Sequence, residues 1–319
     1  MNADEILEAF LKPASDIENI FDGLNTYNRP SLPDEDDGFY DWLLVRSKGV
    51  ELGFTESNYY YSKDEWDWGR GELILTQAYF YSASEGIKEY TGKLPFNLLF
   101  SDDKESAREK LKHYEPSRHS FITDVWDIGN YRLTISYREK EGIDTVICRS
   151  LPLPISVENN TVPDVQKIIS CFGCEVADHD FRLLWAGSLD KESIAEAKED
   201  GSIDFTKSFG ATLNFSKTRK GPLLTSITLH RNRDLESMGW SGELPNQLDF
   251  EDSPEALFQK IPEKPIKQSD SQLTGFAVWN FDGYTLHVLY SNIDNRLIRV
   301  ALIAPGVWKS IDEFSNTCV

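Results

Sequence analysis

Val125-Trp126-Asp127-Ile128-Gly129-Asn130-Tyr131-Arg132-Leu133-Thr134-Ile135-Ser136-Tyr137 returns later in the chain as Val278-Trp279-Asn280-Phe281-Asp282-Gly283-Tyr284-Thr285-Leu286-His287-Val288-Leu289-Tyr290. Two further blocks recur around it. Gly49-Val50-Glu51-Leu52-Gly53-Phe54-Thr55 matches Gly210-Ala211-Thr212-Leu213-Asn214-Phe215-Ser216. Gly92-Lys93-Leu94-Pro95, followed by Leu98, Phe100, Asp102 and Glu105, matches Gly242-Glu243-Leu244-Pro245, followed by Leu248, Phe250, Asp252 and Glu255. Three blocks in one order, at offsets of 161, 150 and 153 residues, are what duplication followed by loop insertion leaves behind. The recurring residues are apolar, aromatic and turn-forming, so they read as architecture. Trp126 and Trp279, and Tyr131 and Tyr284, are expected in the core. Asp127 has become Asn280 and Thr134 has become His287, so the two copies read as sharing an apolar frame without shared polar chemistry.

At 319 residues the chain suits two domains of about 150 residues each. The boundary falls at Leu151-Pro152-Leu153-Pro154, a stiff connector, which gives domains 1–154 and 155–319. Apolar periodicity places helix over 4–26, broken at Pro13, and a second leading helix over Pro163–Phe172. Alternating and β-rich runs give strands at Asp41–Ser47, Gly49–Thr55 and Glu72–Ser82, then the Trp and Tyr strands and a return strand through Leu297, Val300 and Ile303. Short helices are expected after Phe100 and Phe250, with Asp102 as N-cap and Glu105 as its reciprocal partner in the first. The resulting class is α+β: two tandem duplicated domains, each a mostly antiparallel sheet with a leading helix and a short capped helix.

Composition narrows function by exclusion. A net charge of −20, with 29 acidic and 17 basic residues in 1–150 and 24 and 16 in the remainder, argues against binding nucleic acid through its phosphates. The same charge suits a soluble surface and steers a basic partner towards it. The acidic amphipathic start lacks the pattern of a secretory signal, and no apolar run reaches membrane-spanning length, so a cytoplasmic protein is expected. Cys171-Phe172-Gly173-Cys174 has no second ligand pair and reads as thiols at a helix end. His179, between Asp178 and Asp180, reads as part of a surface turn. No nucleophile elbow, Walker loop, dinucleotide fingerprint or zinc-protease motif occurs, and neither catalysis nor a cofactor or metal is expected.

The order of capped helix, Trp strand, Tyr strand and return strand resembles the BamE/SmpA and β-lactamase-inhibitor-protein repeat. Asp252, Ser253, Glu255, Leu257, Trp279, Tyr284, Leu286, Val288, Tyr290 and Val300 carry the likeness, and Asp102, Glu105, Leu111, Trp126, Tyr131, Leu133, Ile135 and Tyr137 carry it in the first copy. Lys112-His113-Tyr114-Glu115-Pro116 and Ile261-Pro262-Glu263-Lys264-Pro265 stand where that repeat has leucine-glycine-x-proline. The whole chain also resembles the immunity proteins encoded beside bacterial polymorphic or type VI secreted toxins. That resemblance implies a cytoplasmic protein that occludes a cognate toxin.

Where the copies differ, one segment stands out. Residues 56–70, containing Tyr59, Tyr60, Tyr61, Trp66 and Trp68 among Glu56, Asp64, Glu65 and Asp67, face only Lys217-Thr218-Arg219-Lys220 in the second copy. Trp and Tyr on a polar loop suit an interface, and the acids suit a basic partner. Tyr60, Asp64, Glu65, Trp66, Asp67 and Trp68 are the expected partner contacts, with Asp34, Asp36 and Asp37 of the acidic loop before the first strand. Covering one end of the sheet is the structural alternative for the aromatics. The functional alternatives are a small-ligand binder or enzyme using the groove between the lobes, and an assembly subunit.

Overall fold

The computed structural model describes residues 1–32, 38–64, 67–120, 122–138, 142–155, 162–185, 188–219 and 221–308. The chain divides into two compact units, Met1–Pro154 and Ile155–Val319.

In the first unit α1 (Ala3–Leu7) and α2 (Glu18–Leu24) precede β1 (Tyr40–Val45), β2 (Val50–Glu56), α3 (Ser57–Tyr60) and β3 (Leu73–Tyr81). Then come α4 (Lys104–Lys110), β4 (Pro116–His119), β5 (Thr123–Ile128), β6 (Tyr131–Arg138) and β7 (Gly142–Arg149). The seven strands form one antiparallel sheet in the order β1-β2-β3-β7-β6-β5-β4. The break at Pro13 is real: a proline cannot donate within a helix, and Pro13 forms an isolated bridge to Ile74 of β3. Ile6, Ile20, Phe21 and Leu24 of the leading helices pack on Leu52, Phe54, Leu75 and Phe80 of the sheet, and all of these are buried.

The second unit adds helices before its sheet: α5 (Val165–Ser170), α6 (His179–Leu184) and α7 (Lys191–Glu199). β8 (Ser202–Phe205), α8 (Thr206–Phe209), β9 (Ala211–Lys217), β10 (Pro222–His230), α9 (Pro254–Lys260), β11 (Lys267–Asp270), β12 (Thr274–Phe281), β13 (Tyr284–Ser291) and β14 (Arg296–Ile303) follow. Read from its β8 edge, the sheet runs β8-β9-β10-β14-β13-β12-β11, the first unit's order strand for strand. Trp126 and Trp279 occupy equivalent buried positions, 1% and 2% exposed. Tyr284 is buried and Tyr131 packs part-buried against the core.

Two local expectations change. The N-cap of α4 is Asp103, whose Oδ1 accepts the Ser106 N–H at 2.8 Å, and Asp102 does something else. In α9 the N-cap is Ser253. His179 opens α6 behind its N-cap Asp178, so it is helical and not part of a turn. Cys171 sits at the C-cap of α5, partly buried, and Cys174 follows in the same turn.

The polar frame is shared after all. Lys110 Nζ donates to both oxygens of Asp102 (2.8 and 2.6 Å) and to the Asn97 carbonyl (2.8 Å). Lys260 Nζ donates to both oxygens of Asp252 and to the Gln247 carbonyl, each at 2.8 Å. Both clamps hold the same strained loop: after Pro95 and Pro245, Phe96 and Asn97, and Asn246 and Gln247, lie in the left-handed region at φ of 56° to 57°. For residues with a Cβ that conformation costs roughly 1–2 kcal/mol each. It persists because the clamp and the following turn over-determine it. Asp102 Oδ2 accepts the Leu99 N–H, and Asp252 Oδ2 accepts the Asp249 N–H, both at 2.7 Å.

Candidate partner-binding site

Glu56 decides the shape of the segment peculiar to the first unit. Fully buried at the end of β2, it accepts the N–H groups of Asn58 (3.0 Å) and Tyr59 (2.7 Å) and so nucleates the single turn of α3. That turn drives two tyrosines inward. Tyr59 is 2% exposed and stacks on Phe39 at a ring separation of 4.5 Å. Tyr60 is 5% exposed, and its hydroxyl meets the Ser150 Oγ at 2.5 Å. Burial pushes the Tyr60 phenol up. Tyr60 is therefore a packing residue that presents no ring to a partner, a correction to its expected role.

The remaining contacts separate by placement. Trp68 is half-buried, edge-on to both Tyr59 and Phe39, and its indole N–H donates to the Lys63 carbonyl at 3.1 Å. Asp67 is half-buried, and its carbonyl accepts from Asn58 Nδ2 at 2.8 Å. Asp64 is exposed. Glu65, Trp66, Asp34, Asp36 and Asp37 lie outside the described residues. Tyr61, unassigned from sequence, is 42% exposed and meets Tyr60 edge-on. The segment thus buries one aromatic layer as a plug and presents Tyr61 and Asp64 from its surface.

A second aromatic group is not visible along the sequence because its members lie on β1 and β3, two strands that β2 separates. Trp42 of β1, 44% exposed, meets Tyr79 of β3 edge-on at 5.6 Å, and Tyr79 stacks with Tyr81 at 6.4 Å. The indole passes over Gly53 of β2, where an added Cβ would lie 2.7 Å from a ring carbon. Tyr81 donates its hydroxyl to Glu51 at 2.5 Å, and burial with this carboxylate neighbour pushes the phenol far above its ordinary range. Strand register places Ser202, Asn214, Thr228, His230 and Thr212 at the corresponding points of the second unit. The signal was present in the block comparison, as Gly53 against Asn214 and Glu51 against Thr212.

The second unit answers with a polar network. His230, 3% exposed, places Nδ1 2.7 Å from Asp234 Oδ2 and Nε2 3.0 Å from the Thr212 hydroxyl. Arg299 grips both Asp234 oxygens at 2.6 and 2.9 Å. Burial pushes the Asp234 carboxyl up, but the His230 and Arg299 hydrogen bonds outweigh it and hold the group below its ordinary range. The order hydroxyl–imidazole–carboxylate is that of an activated nucleophile. Here the imidazole is enclosed and the carboxylate already carries a guanidinium, so the network ties β9, β10 and β14 together.

Each unit also has a recess along its clamped loop. The first, of about 710 Å³, is lined by Tyr90, Lys93, Leu98, Leu99 and Arg138. The second, of about 740 Å³, is lined by Gln166, Trp240, Glu243, Asn246 and Asp249. Lys93 and Leu99 of the first recess are replaced by Glu243 and Asp249 in the second, while Leu94, Leu98 and Phe100 keep their counterparts Leu244, Leu248 and Phe250.

No family model matches the chain, and no curated protein does. Among solved structures, an extracellular protein containing an SCP domain from Bacillus anthracis str. Ames is similar at a TM-score of 0.30 and 11% identity, over 93% of this chain and 94% of that one. Among the described residues, no helix is long and apolar enough to cross a membrane.

Proposed function

We propose that this chain is a cytoplasmic binding protein that neutralises a secreted bacterial toxin domain by covering it, in the manner of an immunity protein. One observation carries the reading. The first unit presents exposed aromatic and acidic side chains, Trp42, Tyr61 and Asp64, at places where the second unit has either no segment or small polar residues. Tyrosine and tryptophan supply large rigid contact area and dominate interface hot spots. A net charge of −20 speeds encounter with a basic partner and disfavours an acidic one.

Occlusion of a toxin needs about 1,600 Å² of buried surface with a few aromatic anchors at its centre. The plug formed by Tyr59, Trp68 and Phe39 gives the presented side chains a rigid base, which lowers the entropy cost of binding.

Co-expression with the product of the adjacent gene, followed by co-purification and titration calorimetry, tests the proposal. The double substitution Tyr61→Ala with Asp64→Lys is expected to weaken binding about a hundredfold, the loss typical of hot-spot removal. Unchanged affinity in the double variant removes the site. Absence of any complex removes the function.

A further inference from the structure

We propose that the outer edge of β1 takes up an extended, basic segment of a protein partner as an eighth strand, with Trp42 as the side-chain anchor. The inference rests on the reading of this chain as a binding protein and specifies how the partner is held.

Backbone alternation fixes which groups face outward. The Glu56 N–H donates to the Phe39 carbonyl at 2.9 Å, and β1 pairs with β2 in unbroken register from Tyr40↔Thr55 to Val45↔Val50. Residues 39, 41, 43 and 45 therefore bond inward to β2, and the backbone groups of Trp42 and Leu44 point away from the sheet. The Trp42 N–H is met by Asp41 Oδ1 at 2.8 Å. Among the described residues, the Leu44 N–H and C=O and the Trp42 C=O have no hydrogen-bond partner.

The same place in the second unit is closed. Leu44 lies opposite Glu51, and Asp204 lies opposite Thr212, the residue that the repeat aligns with Glu51. The Asp204 N–H donates to Glu196 Oε1 of α7 at 3.2 Å, and α7 lies against β8 and β9. One copy of the fold thus caps this edge with a helix, whereas among the described residues the other copy brings only the Ser31 N–H to it, at Asp41 Oδ2 (2.8 Å), and leaves Leu44 uncovered.

Asp41 is the one edge-protecting charge of β1. Tyr40-Asp41-Trp42-Leu43-Leu44-Val45 contains no lysine and no proline, whereas β8 is shorter and polar at alternate positions. Such an edge accepts a strand through main-chain hydrogen bonds, with alternate side chains setting specificity. Charge selects the occupant. Asp41, which accepts the Ser31 and Trp42 N–H groups, lies on the edge, Glu51, which accepts the Tyr81 hydroxyl, stands opposite Leu44 on β2, and a chain of net charge −20 repels a second copy of itself. An arginine of the incoming strand would lie over the exposed indole of Trp42, a favourable cation–π arrangement.

The test uses the full chain and the peptide acetyl-Arg-Val-Arg-Val-Arg-Val-amide, together with the same peptide N-methylated at alternate residues. Calorimetry is expected to show saturable binding of the first peptide and a loss of at least about tenfold with the second. Bound peptide should slow hydrogen exchange of the Leu44 amide about tenfold or more, because that N–H becomes hydrogen-bonded. Leu44→Pro, at an edge position whose N–H is not part of the ladder and where proline is tolerated, should weaken binding about tenfold or more. Equal binding of the N-methylated peptide, no binding of either peptide, or an unchanged Leu44 exchange rate overturns the proposal. A concentration-dependent dimer that Leu44→Pro abolishes assigns the edge to a second copy and also overturns it. The exchange and N-methyl readouts stand even where Leu44→Pro misfolds. Because the probe is not the toxin, failure to find a cognate toxin and failure of strand addition are separate results.

Discussion

Lys110 grips Asp102 and the Asn97 carbonyl in the first unit, and Lys260 grips Asp252 and the Gln247 carbonyl in the second, at nearly equal distances. A few strands away the likeness ends. The three strands β1, β2 and β3 carry Trp42, Glu51, Gly53, Tyr79 and Tyr81, while their counterparts carry Ser202, Thr212, Asn214, Thr228 and His230. The difference separates two kinds of constraint. A clamp that stabilises a left-handed loop must keep donor, acceptor and spacing together, since loss of one partner leaves the strain unopposed. A sheet face must keep only its cross-strand fit, so Trp42 over glycine and Asn214 beside Ser226 are both solutions. What the units share holds their strained loops, and what they do not share is free to vary.

The comparison breaks most severely at the core. Trp126→Ala and Trp279→Ala each remove a fully enclosed indole and should cost about 3–5 kcal/mol. Each is expected to lower the melting transition of its own unit, followed by scanning calorimetry with hydrogen exchange to locate the melted unit. Equal loss in both units from either single variant would show that the two cores do not behave as separate clusters.

The clamps should respond alike and less strongly. Lys110→Met and Lys260→Met leave a nearly buried carboxylate without its cation and should each cost about 2 kcal/mol, within the range for truncating a charged hydrogen-bond partner. Chemical denaturation of the two variants measures it. A cost in one unit several times that in the other would show that one loop is strained and the other relaxed, despite their matching φ values.

Much of this fold was legible in the chain, and the reasons are local. Trp126, Gly129 and Tyr131 report a strand, a turn and a strand within seven residues, so one repeat sufficed to place β5 and β6 and their copies. The clamp is harder to see. Asp102 and Lys110 are eight residues apart, as are Asp252 and Lys260, but an eight-residue charge spacing has no meaning until the loop folds back. Asp102 looks like the cap because it precedes the helix, but Asp103, one residue nearer, has the geometry. The inward turn of Tyr60 is hidden for a related reason. Composition shows aromatics on a polar loop, but the buried Glu56 cap turns the chain and sends Tyr59 and Tyr60 inward. The platform of Trp42, Tyr79 and Tyr81 depends on register across β1, β2 and β3, with a bulge between Gly53 and Phe54, which no window along the sequence contains.

The smallest expected effect sharpens the comparison at His230, which replaces Tyr81. Tyr81 donates to Glu51 within a pair that stays un-ionised on the phenol side, whereas His230 and Arg299 together depress the Asp234 carboxyl. A carboxyl whose folded pKa lies below its unfolded value, about 3.9 for aspartate, stabilises the fold above that unfolded value. The contribution is lost as pH falls through the folded pKa, because protonation of Asp234 releases its charge-assisted bonds. Asp234→Asn is therefore expected to lower the stability of the second unit at neutral pH. The gap between variant and parent should then narrow on acidification below about pH 4, where the parent loses the same interaction. Urea denaturation across pH 2–7 reads this as two curves that converge on the acid side, about the ordinary aspartate range. Parallel curves would mean that Asp234 acts through packing of β10 against β14 and that its charge is incidental. In that case the histidine at this position would be a shape substitute for Tyr81, and the second unit would keep its sheet closed by fit alone, as the first unit does where Trp42 crosses Gly53.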